Sequence, residues 1–131
     1  IDHFKLINDT HGHALGDACI RRLARLVQEH LMSGESFGRL GGEEFMLVMP
    51  GTDGGRAHAA AQHLRREVQA RCAVIEEMSV GMTVSIGSAQ YATPETAEAL
   101  VRRADAAMYA AKKAGRNQVV AADAHVAGQP A

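Results

Sequence analysis

The residues best suited to chemistry sit where glycines free the backbone. In Arg39-Leu40-Gly41-Gly42-Glu43-Glu44-Phe45, two carboxylates follow paired glycines between stretches otherwise short of charge. Gly41 and Gly42 let backbone approach a ligand closely, and adjacent carboxylates can bind Mg²⁺ or accept a proton. The same residues also make a solvated hairpin tip. Successive side chains on a strand point to opposite faces, so Glu43 and Glu44 line one site only if the turn bends the chain, which the glycines permit. A second polar cluster comprises Asp2, Lys5, Asn8, Asp9 and Asp17, spaced by Gly12 and Gly16. It reads either as an exposed loop or as a reader of a purine edge, because a carboxylate accepts from the N1–H and amine of guanine while Asn both donates and accepts. Lys112 and Arg116 form a third group, four residues apart at a helix C-terminus. The helix dipole favours cations there in any case, and two cations on one helix face also suit a triphosphate.

Other reactive residue types carry less. His11 and His13 flank Gly12 without a third ligand at helical spacing, which leaves zinc or iron unsupported. His30, His58 and His63 read as helix-surface residues, and the methionines at 46, 49, 78, 82 and 108 as packing. Cys19 and Cys72 are too few for a disulfide framework and fit a reducing cytoplasm, with Cys19 on an apolar helix stripe.

The elements that must position these groups follow from periodicity. Cys19, Leu23, Leu26 and Leu31 place an apolar stripe on a helix entered through Gly16-Asp17, after a polar loop over residues 8–13 and an extended opening at residues 1–4. Residues 37–40 and 45–49 read as strands of a hairpin joined at Gly41-Gly42. A helix over 53–70 follows from Ala57, Ala60, Ala61, Leu64 and Val68. Residues 72–75 read as a short strand and 82–86 as a half-buried one. A further helix is capped by Thr93, carries Pro94 in its first turn and stops at Gly115, before a last strand over 117–120. The pattern is an α+β sandwich with helices against a central sheet.

The whole chain, 131 residues with 47% hydrophobic and 22% charged, is that of one soluble globular domain. The longest apolar run in a strand-like stretch, residues 45–49, is far too short to span a membrane. A net charge of -1 and 4% aromatics argue against a polymeric nucleic-acid partner. Any nucleotide partner is therefore expected to be small and held by a few placed charges.

Taken together and in order, several segments resemble the GGDEF domain of diguanylate cyclases, in the variant with signature Gly-Gly-Glu-Glu-Phe. They are Asp2-His3-Phe4-Lys5-Leu6-Ile7-Asn8-Asp9, Gly12-His13-Ala14-Leu15-Gly16-Asp17, the stretch from Arg39 to Phe45, Thr83-Val84-Ser85-Ile86-Gly87, and Arg102-Arg103-Ala104-Asp105 through Tyr109, Lys112 and Gly115-Arg116-Asn117. The resemblance implies a domain over residues 1–120, related to the palm of nucleotide cyclases and polymerases, with a mostly antiparallel central sheet and a disordered tail over 121–131. It implies condensation of two GTP into cyclic di-GMP and two pyrophosphates by a cytoplasmic homodimer using Mg²⁺, or Mn²⁺ in its place. Glu43 would then be a metal ligand with the backbone carbonyl of Ile1, and Glu44 the acid that helps deprotonate the attacking hydroxyl. Asn8 and Asp17 would recognise guanine; Lys112 and Arg116 would neutralise the β- and γ-phosphates, with Phe4 and Lys5 contributing contacts near them. The alternative within the same family is a module that binds GTP or cyclic di-GMP without turnover and signals through a protein partner.

Two departures from the family pattern matter. A metal-binding Asp belongs immediately before the position of Ile1, so the resemblance implies an excerpt lacking its first strand and an upstream sensor domain, in which metal binding and catalysis are weak. An Arg-x-x-Asp inhibitory site belongs where this chain has Met32-Ser33-Gly34-Glu35. Cyclic di-GMP is accordingly expected in the active-site pocket.

Overall fold

A computed structural model describes residues 1–123, which fall into two compact units: residues 1–51 with 66–84, and residues 52–65 with 85 onward. The helix Gly54–Arg71 is divided between them.

In the first unit, α1 (Phe4–His11) and α2 (His13–His30) pack together. The opening is thus helical from Phe4, and Asn8 to His11 form its last turn rather than a loop. Phe4 and Ile7 lie one turn apart and Ile7 is buried, so packing overrides the weak helix propensity of Asn, Asp and Thr. Gly12, at φ 91°, separates the two helices: its N–H donates to the Asn8 carbonyl, and its own carbonyl accepts from Gly16. Leu15, Cys19, Leu23, Leu26 and Val27 then bury the stripe expected of α2, although the helix begins three residues before Gly16.

β1 (Ser36–Gly41) and β2 (Glu44–Val48) form the expected antiparallel hairpin. The rings of Phe37 and Phe45, diagonal across it, stack with centroids 5.4 Å apart. Behind the helix α3 (Gly54–Arg71), β3 (Val74–Ile75) pairs antiparallel with β4 (Met78–Ser79) about Glu76 and Glu77, both at positive φ. That hairpin lacks the Asn-Gly or Asp-Gly signal that announces such turns. Residues 82–85 are not a paired strand. The Met82 N–H goes to the Cys72 carbonyl and the Thr83 carbonyl accepts from Asp2, so alternation reports burial here without a ladder. Cys19 and Cys72 are fully buried, and burial pushes both thiols above their ordinary pKa, as befits packing residues.

In the second unit, β5 (Ile86–Ser88) runs parallel to β6 (Val119–Ala121), and α4 (Ala97–Lys113) packs across both. Thr96, not Thr93, caps α4 by accepting from the Ala99 N–H at 3.1 Å. Pro94 is held outside the helix by a turn in which Glu95 N–H donates to the Ala92 carbonyl and Ala92 N–H donates to the Glu95 carboxylate. Glu95 also receives Arg103 of α4 in a buried, two-pronged pair, at 2.5 and 2.8 Å, while Arg103 reaches the Gln90 carbonyl at 2.6 Å.

The architecture is α+β as expected, with its strands in three two-stranded ladders, two antiparallel and one parallel. Ala121 completes β6 and the Ala122 N–H bonds to Ser88, so order extends into the stretch expected as a tail; residues 124–131 lie outside the described residues. Among the described residues no helix is long and apolar enough to cross a membrane.

The contact of α4 with β5 is made at Gly87, where an added Cβ would meet Ala104 O and Met108 N. Both obstacles are backbone, so Gly87→Ala is expected to cost about 3 kcal/mol, measured by urea unfolding; a loss below about 1 kcal/mol would contradict this contact.

Candidate active site

The turn between β1 and β2 is built by a bulge. Pairing runs from Ser36↔Val48 to Arg39↔Phe45 and then jumps to Gly41↔Glu44, leaving Leu40 unpaired. Gly42 takes φ 52°, a left-handed backbone that glycine adopts without strain, and the Arg39 guanidinium closes the turn with a 2.8 Å hydrogen bond to the Gly42 carbonyl. Glu43 is half-buried at this turn, and Glu44 is exposed at the first position of β2. Ile1 joins them, its backbone nitrogen donating to the Glu43 carbonyl at 3.1 Å across 42 positions of sequence. Asp2, by contrast, is buried and structural: it bonds to Thr83 through both its backbone N–H and its carboxylate, which accepts from the hydroxyl at 2.8 Å.

The second polar cluster is assembled by α1 lying against α2. Asn8 is half-buried, and its Oδ1 is shielded from solvent with no hydrogen-bond partner. A Cβ at Gly16 would fall 1.8 Å from that oxygen and 3.4 Å from Cζ of Phe4. The glycine therefore makes the space in which the Asn8 amide and the Phe4 ring lie, one residue from exposed Asp17. A buried acceptor left unpaired costs roughly 1 to 3 kcal/mol. Lys5 is exposed on α1.

The two cations sit in the second unit and do not share a helical face. Lys112 is the penultimate residue of α4, whereas Arg116 lies beyond the helix end. The Arg116 N–H donates to the Ala111 carbonyl and the Gly115 N–H to the Lys112 carbonyl, with Gly115 at φ 119°. These are the paired bonds of a Schellman stop. Arg116 and Asn117 follow with φ of 65° and 47°, so the chain turns sharply and presents Arg116 to solvent. Asn117 is steadied by Arg65, whose Nη1 donates to its Oδ1 at 3.2 Å. Sequence spacing gives no sign of that contact, which joins positions 52 apart.

An α+β domain whose acidic hairpin turns through a bulge at paired glycines fits the nucleotide-cyclase palm class. The family described as diguanylate cyclase, GGDEF domain, matches residues 1–118, and the chain belongs to it. Diguanylate cyclase A of Treponema denticola is 37% identical over 120 residues, covering 91% of this chain and 32% of that protein. Response regulator PleD of Caulobacter vibrioides is 40% identical over 124 residues, covering 92% of this chain and 27% of its own. The chain thus spans about a third of the length of such relatives. Among solved structures, the GGDEF domain of DgcB from Caulobacter crescentus in complex with c-di-GMP superposes with a TM-score of 0.85 at 36% identity, over 92% of this chain and 72% of that one. The active GGEEF domain of a diguanylate cyclase from Vibrio cholerae gives 0.87 at 32% identity, over 95% and 80%.

The packing of Asn8 on Gly16 is open to direct test. Gly16→Ala should shift the side-chain amide resonances of Asn8 in a ¹H–¹⁵N spectrum while the protein stays folded, because alanine suits a helix and the far end of Asn8 can swing away. Unmoved Asn8 resonances would mean that the two residues are not in contact.

Proposed function

We propose that this domain condenses two GTP molecules into cyclic di-GMP and two pyrophosphates. The observation that carries the reading is the half-buried Asn8 amide set against Gly16, one residue along α2 from exposed Asp17, a pairing of polar groups suited to a guanine edge. Glu44, exposed at the head of β2, takes the proton from the 3′-hydroxyl of the nucleotide carried by a second copy. That oxygen bonds to the α-phosphorus as the bond to the β-phosphate bridging oxygen breaks, releasing pyrophosphate; the reciprocal attack closes the ring. A homodimer is therefore needed. Lys112 and Arg116 neutralise the β- and γ-phosphates, and Phe4, Lys5, Gly41 and Gly42 line the approach of the nucleotide.

The donors at the turn fit a hard divalent cation. They are all oxygens, and Mg²⁺ commonly takes one or two carboxylates with the substrate phosphates. Glu43 and the Ile1 carbonyl would hold it, the Ile1 backbone already being tied to Glu43. When bound, Mg²⁺ polarises the phosphates and offsets their charge. Two buried cysteines and a GTP substrate are in keeping with the cytoplasm.

Incubating the full-length protein with GTP and Mg²⁺ should yield cyclic di-GMP, and Glu44→Ala should cut the rate at least ~100-fold. No product from a protein that binds GTP and dimerises would favour a signalling module without turnover. Cyclic di-GMP itself should bind in the same pocket, so Asn8→Ala and Asp17→Ala should each weaken its affinity about tenfold or more by calorimetry, and unchanged affinity would place it elsewhere.

A further inference from the structure

A surface cleft of about 160 Å³ opens within the first unit between α2 and β3, away from the acidic hairpin in sequence and in the elements that form it. Arg21, Arg22 and Arg25 line one side, and Val74, Ile75 and Glu76 the other. Arg25 lies four residues after Arg21 and three after Arg22 on one helix, so it neighbours both, and like charges so placed repel one another. Only part of that charge is answered by the protein. Arg22 donates to the Arg71 carbonyl at 3.1 Å, which fixes its position without neutralising it. Arg21 stands 3.8 Å from Glu76 with both side chains largely exposed, a weak pairing. Arg25 is exposed and makes no hydrogen bond or ion pair among the described residues. In a chain whose net charge is -1, this is a local excess of positive charge in a mostly polar cleft. Val74, on its far side, is 56% exposed.

The geometry points to a second anion site here, one that takes a phosphate group between Arg22 and Arg25 with any organic remainder lying over Val74. Guanidinium is the side chain best matched to phosphate, since its planar fork offers paired donors to two oxygens. At about 160 Å³ the cleft suits a single phosphoryl group or a small diphosphate rather than a whole dinucleotide. The site stands independently of the proposed cyclase reaction. It uses none of Asn8, Asp17, Glu43, Glu44, Lys112 or Arg116.

Titration with inorganic pyrophosphate, and separately with inorganic phosphate, at fixed ionic strength and without divalent cations should move the amide resonances of Val74, Ile75 and Glu76 and the Nε–H resonances of Arg22 and Arg25. Arg25→Ala removes an exposed, unpartnered side chain, so the fold should survive, and affinity should fall about tenfold. Arg25→Lys keeps the charge without the fork and should fall between the two. Glu44→Ala should leave the titration unchanged. Shifts confined to residues around Asn8 or Lys112, an affinity indifferent to Arg25→Ala, or no shift with either anion would overturn the assignment.

Discussion

At Gly87 the backbone of α4 occupies the space a side chain would take, and at Gly16 the Asn8 amide does the same. Each of the two units depends on one such absence. Where β5 meets α4, the missing Cβ lets strand and helix approach at backbone distance, and the helix so placed carries Lys112 in its last turn with Arg116 in the stop beyond it. Where α1 meets α2, the missing Cβ leaves a shielded space for a polar group. Close packing tolerates few voids, so a side chain added at either glycine would have to displace what fills that space.

The surrounding structure answers for the rigidity these approaches need. Arg103 gathers Glu95, the Gln90 carbonyl and the Asp123 carbonyl onto one guanidinium, tying the loop before α4 and the end of β6 to the helix itself. In the first unit, Arg71 and Glu29 join the end of α3 to α2, and the Arg71 guanidinium holds the Glu29 carboxyl below the usual carboxylate range. The hairpin carries its own brace in the stacked Phe37 and Phe45 rings.

Much of this was legible in the sequence, for physical reasons that also mark where legibility stopped. The helices over 54–71 and 97–113 follow from apolar residues at helical spacing, and the acidic hairpin from paired glycines between strand-like runs. α1 escaped because its last turn is made of Asn, Asp, Thr and His, residues that read as loop until Ile7 is seen to be buried. The β3–β4 hairpin escaped because two glutamates take positive φ there, and residues 82–85 misled because alternation records which side is buried, not which strand is bonded. At the site, residue types announced a carboxylate pair, a polar cluster about Asn8 and Asp17, and a cationic end. What spacing does not reveal is that Asn8 needs Gly16, that Ile1 reaches Glu43, or that Arg65 steadies Asn117.

The stop of α4 sets charge against stability. Arg116 sits in the left-handed backbone region, where most side chains are strained by about 1 kcal/mol, glycine is at ease, and asparagine is tolerated through its short polar side chain. A sequence optimised only to fold would put one of those residues at 116 and lose its cation. Arginine at that position trades thermal robustness for a charge fixed by the backbone turn, so selecting thermostable variants would tend to remove the group proposed to face the phosphates.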